Sequence, residues 1–248
     1  MTRLLRAELL KLRTTQVWFW MLVFAVAIGG LVVVGGLASD SVHTELDVPD
    51  LFANANGTLL AAFVLGTLAI TTEFRYQTIT ATLLQTPSRW SVVGAKLITY
   101  AIVGLCYAAV CLAVELAIAL PWLSAKGIPF TLSDSDVFRA VFGPFVLFAL
   151  FAVIGIGIGA LINNQIVALV SGFVLLVINN ILPAIPVVKH AYAYSPAGAV
   201  AEIVFPPGEH TPNNVHLIGA TGGVFVLLAW ALVPALVGAA YSMNRDIT

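Results

Sequence analysis

Apolar residues in this chain gather into six long runs, separated by short polar or basic stretches. The runs are Gln16–Ala38, Leu51–Thr72, Val92–Leu123, Val137–Ile162, Ile166–Val188 and Val215–Ser242. Each reaches the roughly 20 residues that a helix needs to cross the hydrocarbon of a bilayer. Apolar and polar positions do not alternate along them, as they would in transmembrane strands. Backbone groups in lipid must hydrogen-bond within their own segment, which leaves the helix. The pattern predicts an all-α integral membrane protein, with six transmembrane helices in a single transmembrane domain over residues 1–248. The third run is long enough to tilt or kink.

Three stretches outside the runs carry patterns of their own. Residues 1–15 include TRLLRAELLKLRT, in which Leu5, Leu9 and Leu12 share a helical face beside Arg3, Arg6 and Arg13. This predicts a basic amphipathic helix at the inner membrane surface, serving either as a topology anchor or as a contact for a partner. Residues 73–96 read EFRYQTITATLLQTPSRWSVVGAK, too polar to span and too apolar for a free loop. Phe74, Ile79, Leu83 and Leu84 can pack on a surface while Glu73, Arg75, Gln77 and Arg89 stay solvated. Pro87 disfavours helical geometry at Thr86. The reading is a helix over 73–90 that leaves the second run, follows the membrane face and turns back. It suits docking of a cytoplasmic protein, and it also suits an interfacial linker. Near the other surface, Pro183 and Pro186 end or bend the fifth run. Ser195 and Pro196 then open a short helix over 195–205, because serine accepts from orphan backbone N–H groups and proline suits the first helical position. Glu202 on that helix is expected to face water or a polar partner.

Composition and charge turn this pattern into a topology. Hydrophobic residues make up 60% of the chain and charged ones only 9%, against about a quarter charged in soluble domains. Mean hydropathy is +1.01. A core cannot absorb that much apolar sequence and still leave a polar exterior. With the N-terminus inside, the inner segments hold Arg3, Arg6, Lys11, Arg13, Arg75, Arg89, Lys96 and Arg245, and the outer ones only Lys126, Arg139 and Lys189. Asp40, Glu45, Asp47 and Asp50 crowd the first outer segment. The bias of basic residues puts both termini in the cytoplasm. The basic start resembles a secretory signal, but Val17–Leu37 is longer than a signal's apolar region and reads as a retained first span. A net charge of −1 points to no nucleic-acid partner.

Candidate chemistry is sparse. No G-x-x-x-x-G-K-[ST] loop is present to cradle phosphate. Gly155, Gly157 and Gly159 lie inside an apolar run with no strand before them, and read as small residues for helix packing, as do Gly219 and Gly223. Cys106 and Cys111 fall on different sides of one helix and read as small apolar residues. His43, His190, His210 and His216 lack the spacing of metal ligands. Ser171 has no histidine at membrane depth to act as its base, which argues against an intramembrane protease. No catalytic residue, resident cofactor or metal is therefore expected on this chain. Polar groups inside the runs are costly in lipid and draw attention for that reason. Glu115 lies toward the outer end of the third run, either protonated, paired or in contact with water. Asn54, Asn56 and Thr58 sit near the outer start of the second run, and Asn179 and Asn180 in the outer half of the fifth. They either line a polar path or only hold the bundle together by hydrogen bonds.

The order of these parts, with E-F-R-x-x-T-I-T-A-T-L-L-x-T-P-x-R-x-x-x-x-x-K over Glu73 to Lys96, resembles the permease subunit of ABC-2 type ABC transporters. The likeness extends to the bacterial small-permease branch and covers nearly the whole chain. It implies a multi-pass permease of the bacterial plasma membrane that exports a hydrophobic or amphipathic compound (a drug, antibiotic or lipid-like molecule) by alternating access. Two six-span halves would pair, as a homodimer or a heterodimer. Each would dock an ATP-binding-cassette ATPase subunit, which carries the ATP and Mg. The 73–90 helix would be the coupling helix, with Glu73, Arg75, Gln77, Thr78 and Arg89 at the ATPase contact and Arg6 as a second contact. Spans two and five would line the cavity, which makes Asn54, Asn56, Thr58, Asn179 and Asn180 pathway candidates. In relatives a glycine often stands where this chain has Gln77, a departure that bears on the turn there. A different class fits one feature: an ion-coupled secondary transporter using Glu115 would need no ATPase. One buried acid and no detectable inverted repeat argue against it.

Overall fold

The computed structural model describes residues 2–39, 42–54, 58–77, 89–162, 164–182, 185, 189–205 and 218–244. For residues 2, 3, 54, 89, 176, 179, 180, 239 and 241–244 it describes the backbone alone. Among these residues the regular structure is all helical. In chain order the helices are α1 (Thr2–Thr14), α2 (Val17–Ala38), α3 (Val48–Asn54), α4 (Leu59–Arg75), α5 (Arg89–Lys126), α6 (Ser135–Leu161), α7 (Gln165–Ile181), α8 (Pro196–Val204) and α9 (Ala220–Asn244). Short 3-10 turns cover Glu45–Asp47 and Lys189–Tyr194. Four segments, Val17–Ala38, Trp90–Lys126, Ser135–Leu161 and Ala220–Gly238, are long and apolar enough to cross a membrane. The chain is built as a multi-pass membrane protein.

The second and fifth apolar runs give comparatively short helices. α3 ends at Asn54 and α4 begins at Leu59, directly after Thr58 in a 3-10 turn. α4 and α7 have 17 residues each, about 25 Å of rise. α7 stops at Ile181, where Pro183 is expected to end the fifth run. Pro183 has no N–H to offer the carbonyl of Asn179, which removes the bond that would continue the helix. α5 is the opposite case, with 38 residues and about 57 Å of rise, well beyond a hydrocarbon core of about 30 Å. Three helix starts are fixed by side chains. Asp134 accepts from Asp136 N at 2.9 Å, Asn164 from Ile166 N at 3.0 Å, and Ser195 from Gly198 N at 3.1 Å, each satisfying an orphan donor.

α6 is the axis of the bundle. It packs against α4, α5 and α9, and Val153 to Ala160 are all buried. Small residues allow the approach. A Cβ at Gly66 would sit 1.9 Å from the carbonyl oxygen of Ala152, and one at Gly155 would sit 2.2 Å from that of Phe63. The α4 and α6 backbones are therefore in direct contact, as small-residue interfaces allow.

Contacts sort the helix ends into two groups. The end of α4 meets the start of α5 through Glu73 and Lys96. It meets the start of α7 through Arg75 and Gln165. Gly238, late in α9, faces Ala160, late in α6. In the other group, the Phe52 ring of α3 lies tilted against Phe130 after α5, and Gly143, early in α6, faces Ile203 and Val204 of α8. Glu202 accepts from the backbone of Ile218, just before α9. The polar partner expected for Glu202 is thus a helix start, and its side chain is buried.

Candidate functional site

Three helix segments converge where α4 ends and α5 begins. α1 lies across them and sends Glu8 inward, although Arg6, Leu10 and Arg13 on its other side are exposed. Two residues along a helix turn a side chain by about 200°, so Glu8 and Arg6 face opposite ways. Glu73 comes from the last turn of α4, and Lys96 from the second turn of α5. All three are buried, with relative exposures of 4% for Glu8, 6% for Glu73 and 2% for Lys96.

They form a closed ring with Lys11. Lys96 Nζ donates to Glu8 Oε2 at 2.7 Å and to Glu73 Oε1 at 2.8 Å. Lys11 Nζ donates to Glu8 Oε1 at 2.9 Å and to Glu73 Oε1 at 2.7 Å. Two carboxylates and two ammonium groups alternate, so the ring is neutral. Lys96 has three donors, and the third reaches the carbonyl of Ala69 at 3.2 Å. The ammonium deepest in the protein is thus fully satisfied. Glu73 Oε2 is buried and has no hydrogen-bond partner among the described residues.

The charges tune one another. Burial alone pushes the Glu73 carboxyl up, but the Lys96 charge and the hydrogen bonds from Lys11 and Lys96 hold it below the ordinary carboxylate value. Burial likewise pulls the Lys11 ammonium down, and its bonds to Glu73 and Glu8 override this and raise it. Glu73 keeps its charge because two cations lie against it. A buried pair of this kind adds little net stability compared with an apolar core, yet removing the buried Lys96 leaves stranded charges at a cost of about 3–5 kcal/mol. The ring therefore acts as a fastener whose parts depend on one another.

The residues singled out from sequence distribute around this ring. Glu73 is inside it, turned toward α1 and α5 and away from solvent. Arg75 is exposed, donates to Gln165 Oε1 at 3.2 Å and lies 5.6 Å over the Tyr76 ring. Gln77 is exposed with φ at +54°, a left-handed conformation that favours glycine. There the helix stops: Tyr76 N bonds to Thr72 O at 2.9 Å and Gln77 N to Phe74 O at 3.3 Å. α4 therefore closes at Arg75, and most of the helix expected over 73–90 lies outside the described residues. Thr78 lies outside the described residues. Arg89 is the first residue of α5, and its side chain lies outside them too.

Among the pathway candidates, Thr58 is buried directly before α4. Asn54 ends α3, while Asn179 and Asn180 stand in the last turn of α7; their side chains, and Asn56 as a whole, lie outside the described residues. α4 and α7 do pack together, with the Phe63 ring against Gly172. Glu115 is buried beside Gly29 of α2 and Thr58.

Sequence reasoning found Glu73 and overlooked Glu8, Lys11 and Lys96 as its partners. Two signals were present. Glu8 is the single acid in a strongly basic helix, three residues before Lys11, and Lys96 sits well inside an apolar run. Comparison of the sequence with protein-family models and with curated proteins finds no match.

Proposed function

We propose that this chain is the membrane-spanning permease subunit of an ATP-binding-cassette transporter of the ABC-2 type. In this reading it exports a hydrophobic or amphipathic compound from a bacterial cell by alternating access. A separate ATPase subunit supplies ATP and Mg, and a second permease half, identical or homologous, completes the transporter.

One observation carries the reading: the ring of Glu8, Lys11, Glu73 and Lys96. It ties α1, the end of α4 and the start of α5 into one block, and the 76–88 segment joins two of those three members. A push on that segment is delivered to the ends of two helices and to α1 together. A permease driven from outside needs such a rigid transmitter, because the two states of its cavity must be biased by a force applied at the surface. Glu73 then acts by holding the block, while Arg75, Gln77, Thr78, Arg89 and Arg6 remain the candidates for touching the ATPase.

The contacts at the helix ends support six passages across the membrane. The chain alternates between the two groups of ends along α2, the α3–α4 pair, α5, α6, α7 and α9. The start of α1 and the end of α9 then share the side of the charge ring, and the excess of basic residues supports a cytoplasmic face there. α4 and α7, which pack together through Phe63 and Gly172, would line the path of the cargo with Thr58, Asn54, Asn56, Asn179 and Asn180.

The test is recovery of the motor. A tagged copy purified from its native membrane should bring down a second chain that hydrolyses ATP. A preparation that transports cargo into vesicles with no other polypeptide present would end this reading.

A further inference from the structure

Glu115 is unused by the mechanism above. It stands on α5, 6% exposed, and makes no hydrogen bond or ion pair with a described residue. α2 presses directly on it: a Cβ at Gly29 would come within 2.6 Å of Glu115 Oε1 and 3.4 Å of the Thr58 methyl. A side chain at position 29 would push the carboxyl aside.

The carboxyl lines a small cavity with Phe52, Thr58, Cys111, Pro144 and Phe148. The space open to the centre of a water molecule is about 10 Å³, enough for one water at most. Its walls are mostly apolar. Cys111, one turn back on α5, is the titratable neighbour; α2 presents Gly29, α3 presents Phe52, and α6 presents Pro144 and Phe148, none of which titrates. A metal cation would need several oxygen ligands, and this lining offers the carboxyl and the Thr58 hydroxyl. An organic ammonium is too large for the space.

We propose that Glu115 is a proton-binding site, filled when α2 closes on α5 and emptied when the two part. A bare carboxylate held between packed apolar helices is a buried charge with no counter-ion. Intramembrane acids in such positions mark sites of function. On closure a hydronium gives its proton to Glu115, one O–H bond forms, and one water is left. On opening, water reaches the carboxyl and takes the proton back. The α2–α5 contact and the proton are thereby linked, each favouring the other. This holds whichever energy source drives the bundle, so it stands apart from the ATPase reading.

Infrared spectroscopy of the full chain in lipid nanodiscs at neutral pH tests it. The wild type should show the C=O stretch of a protonated carboxyl, shifting in D2O and indifferent to exchange of sodium for choline. Glu115→Gln should lose that band. Gly29→Ala, which pushes a methyl toward Oε1, should shift it, and this covers the case in which the glutamine variant fails to fold. A band unchanged in both variants, an ionised carboxylate signal lost in Glu115→Gln, or a sodium-dependent band would each overturn the proposal.

Discussion

Lys96 Nζ lies 2.7 Å from Glu8 Oε2, across 88 positions of sequence. This bond fastens the first helix of the chain to the bundle, and both partners are almost wholly buried. Its consequences can be measured on stability alone.

Lys96→Met strands Glu8 and Glu73 in a buried site. It should lower unfolding stability by about 3–5 kcal/mol and free α1 for proteolysis near Arg13. Lys11→Met is expected to cost less than about 1 kcal/mol, because its ammonium is partly in water and exposed pairs are weak. Glu8→Gln combined with Lys96→Met should cost clearly less than the two single losses added together. Denaturation in detergent, followed by helical signal and by limited proteolysis, reads all four variants.

The ring also sets a pH window. The Glu73 carboxyl is held below its ordinary 4.5, so its contribution is complete above 4.5 and is lost as pH falls through the lower folded value. The Lys11 ammonium is held above its ordinary 10.5, so its contribution is complete below 10.5 and is lost as pH rises through the higher folded value. Melting temperature against pH should fall at both extremes, and Glu73→Gln should remove the acid limb.

Gln77 sits at φ +54°, where a side chain strains the backbone by about 1–2 kcal/mol. Gln77→Gly should stabilise the protein by about 1 kcal/mol. Gln77→Val should destabilise it, since β-branched residues tolerate this region worst. Melting temperatures of the two variants should move in opposite directions.

Gly66→Ala drives a methyl into the Ala152 carbonyl and should cost about 1–3 kcal/mol or more. Gly35 has open space around its missing Cβ, so Gly35→Ala should be neutral or stabilising. Equal effects of the two substitutions on melting would contradict the backbone contact between α4 and α6.

What could be read ahead of the structure follows from range. Helical character and membrane placement are written in local hydropathy, and the apolar stretches of α2, α5, α6 and α9 declare themselves one by one. The cap at Ser195 and the stop after Ile181 are also local, set by Pro196 and Pro183. The end of α3 at Asn54 and the start of α4 at Leu59 were signalled only by Asn54, Asn56 and Gly57 inside an otherwise apolar run. The ring was not legible, because its members come from three helices and become partners only through burial. From sequence Glu73 looks like a solvated contact residue; packing of α1 turns it inward. The positive φ at Gln77 is likewise a product of how α4 must end, and glutamine gives no hint of it.

The central claim is that the end of the bundle carrying the ring receives a separate ATPase. Tyr76, exposed beside the ring, and Leu46, exposed near the opposite end, are the two positions to compare. A photo-reactive residue at each, activated in native membranes, gives the most direct measurement. The account predicts that position 76 captures an ATP-hydrolysing chain and that position 46 does not. Capture of that chain at position 46, or of none at position 76, would contradict it.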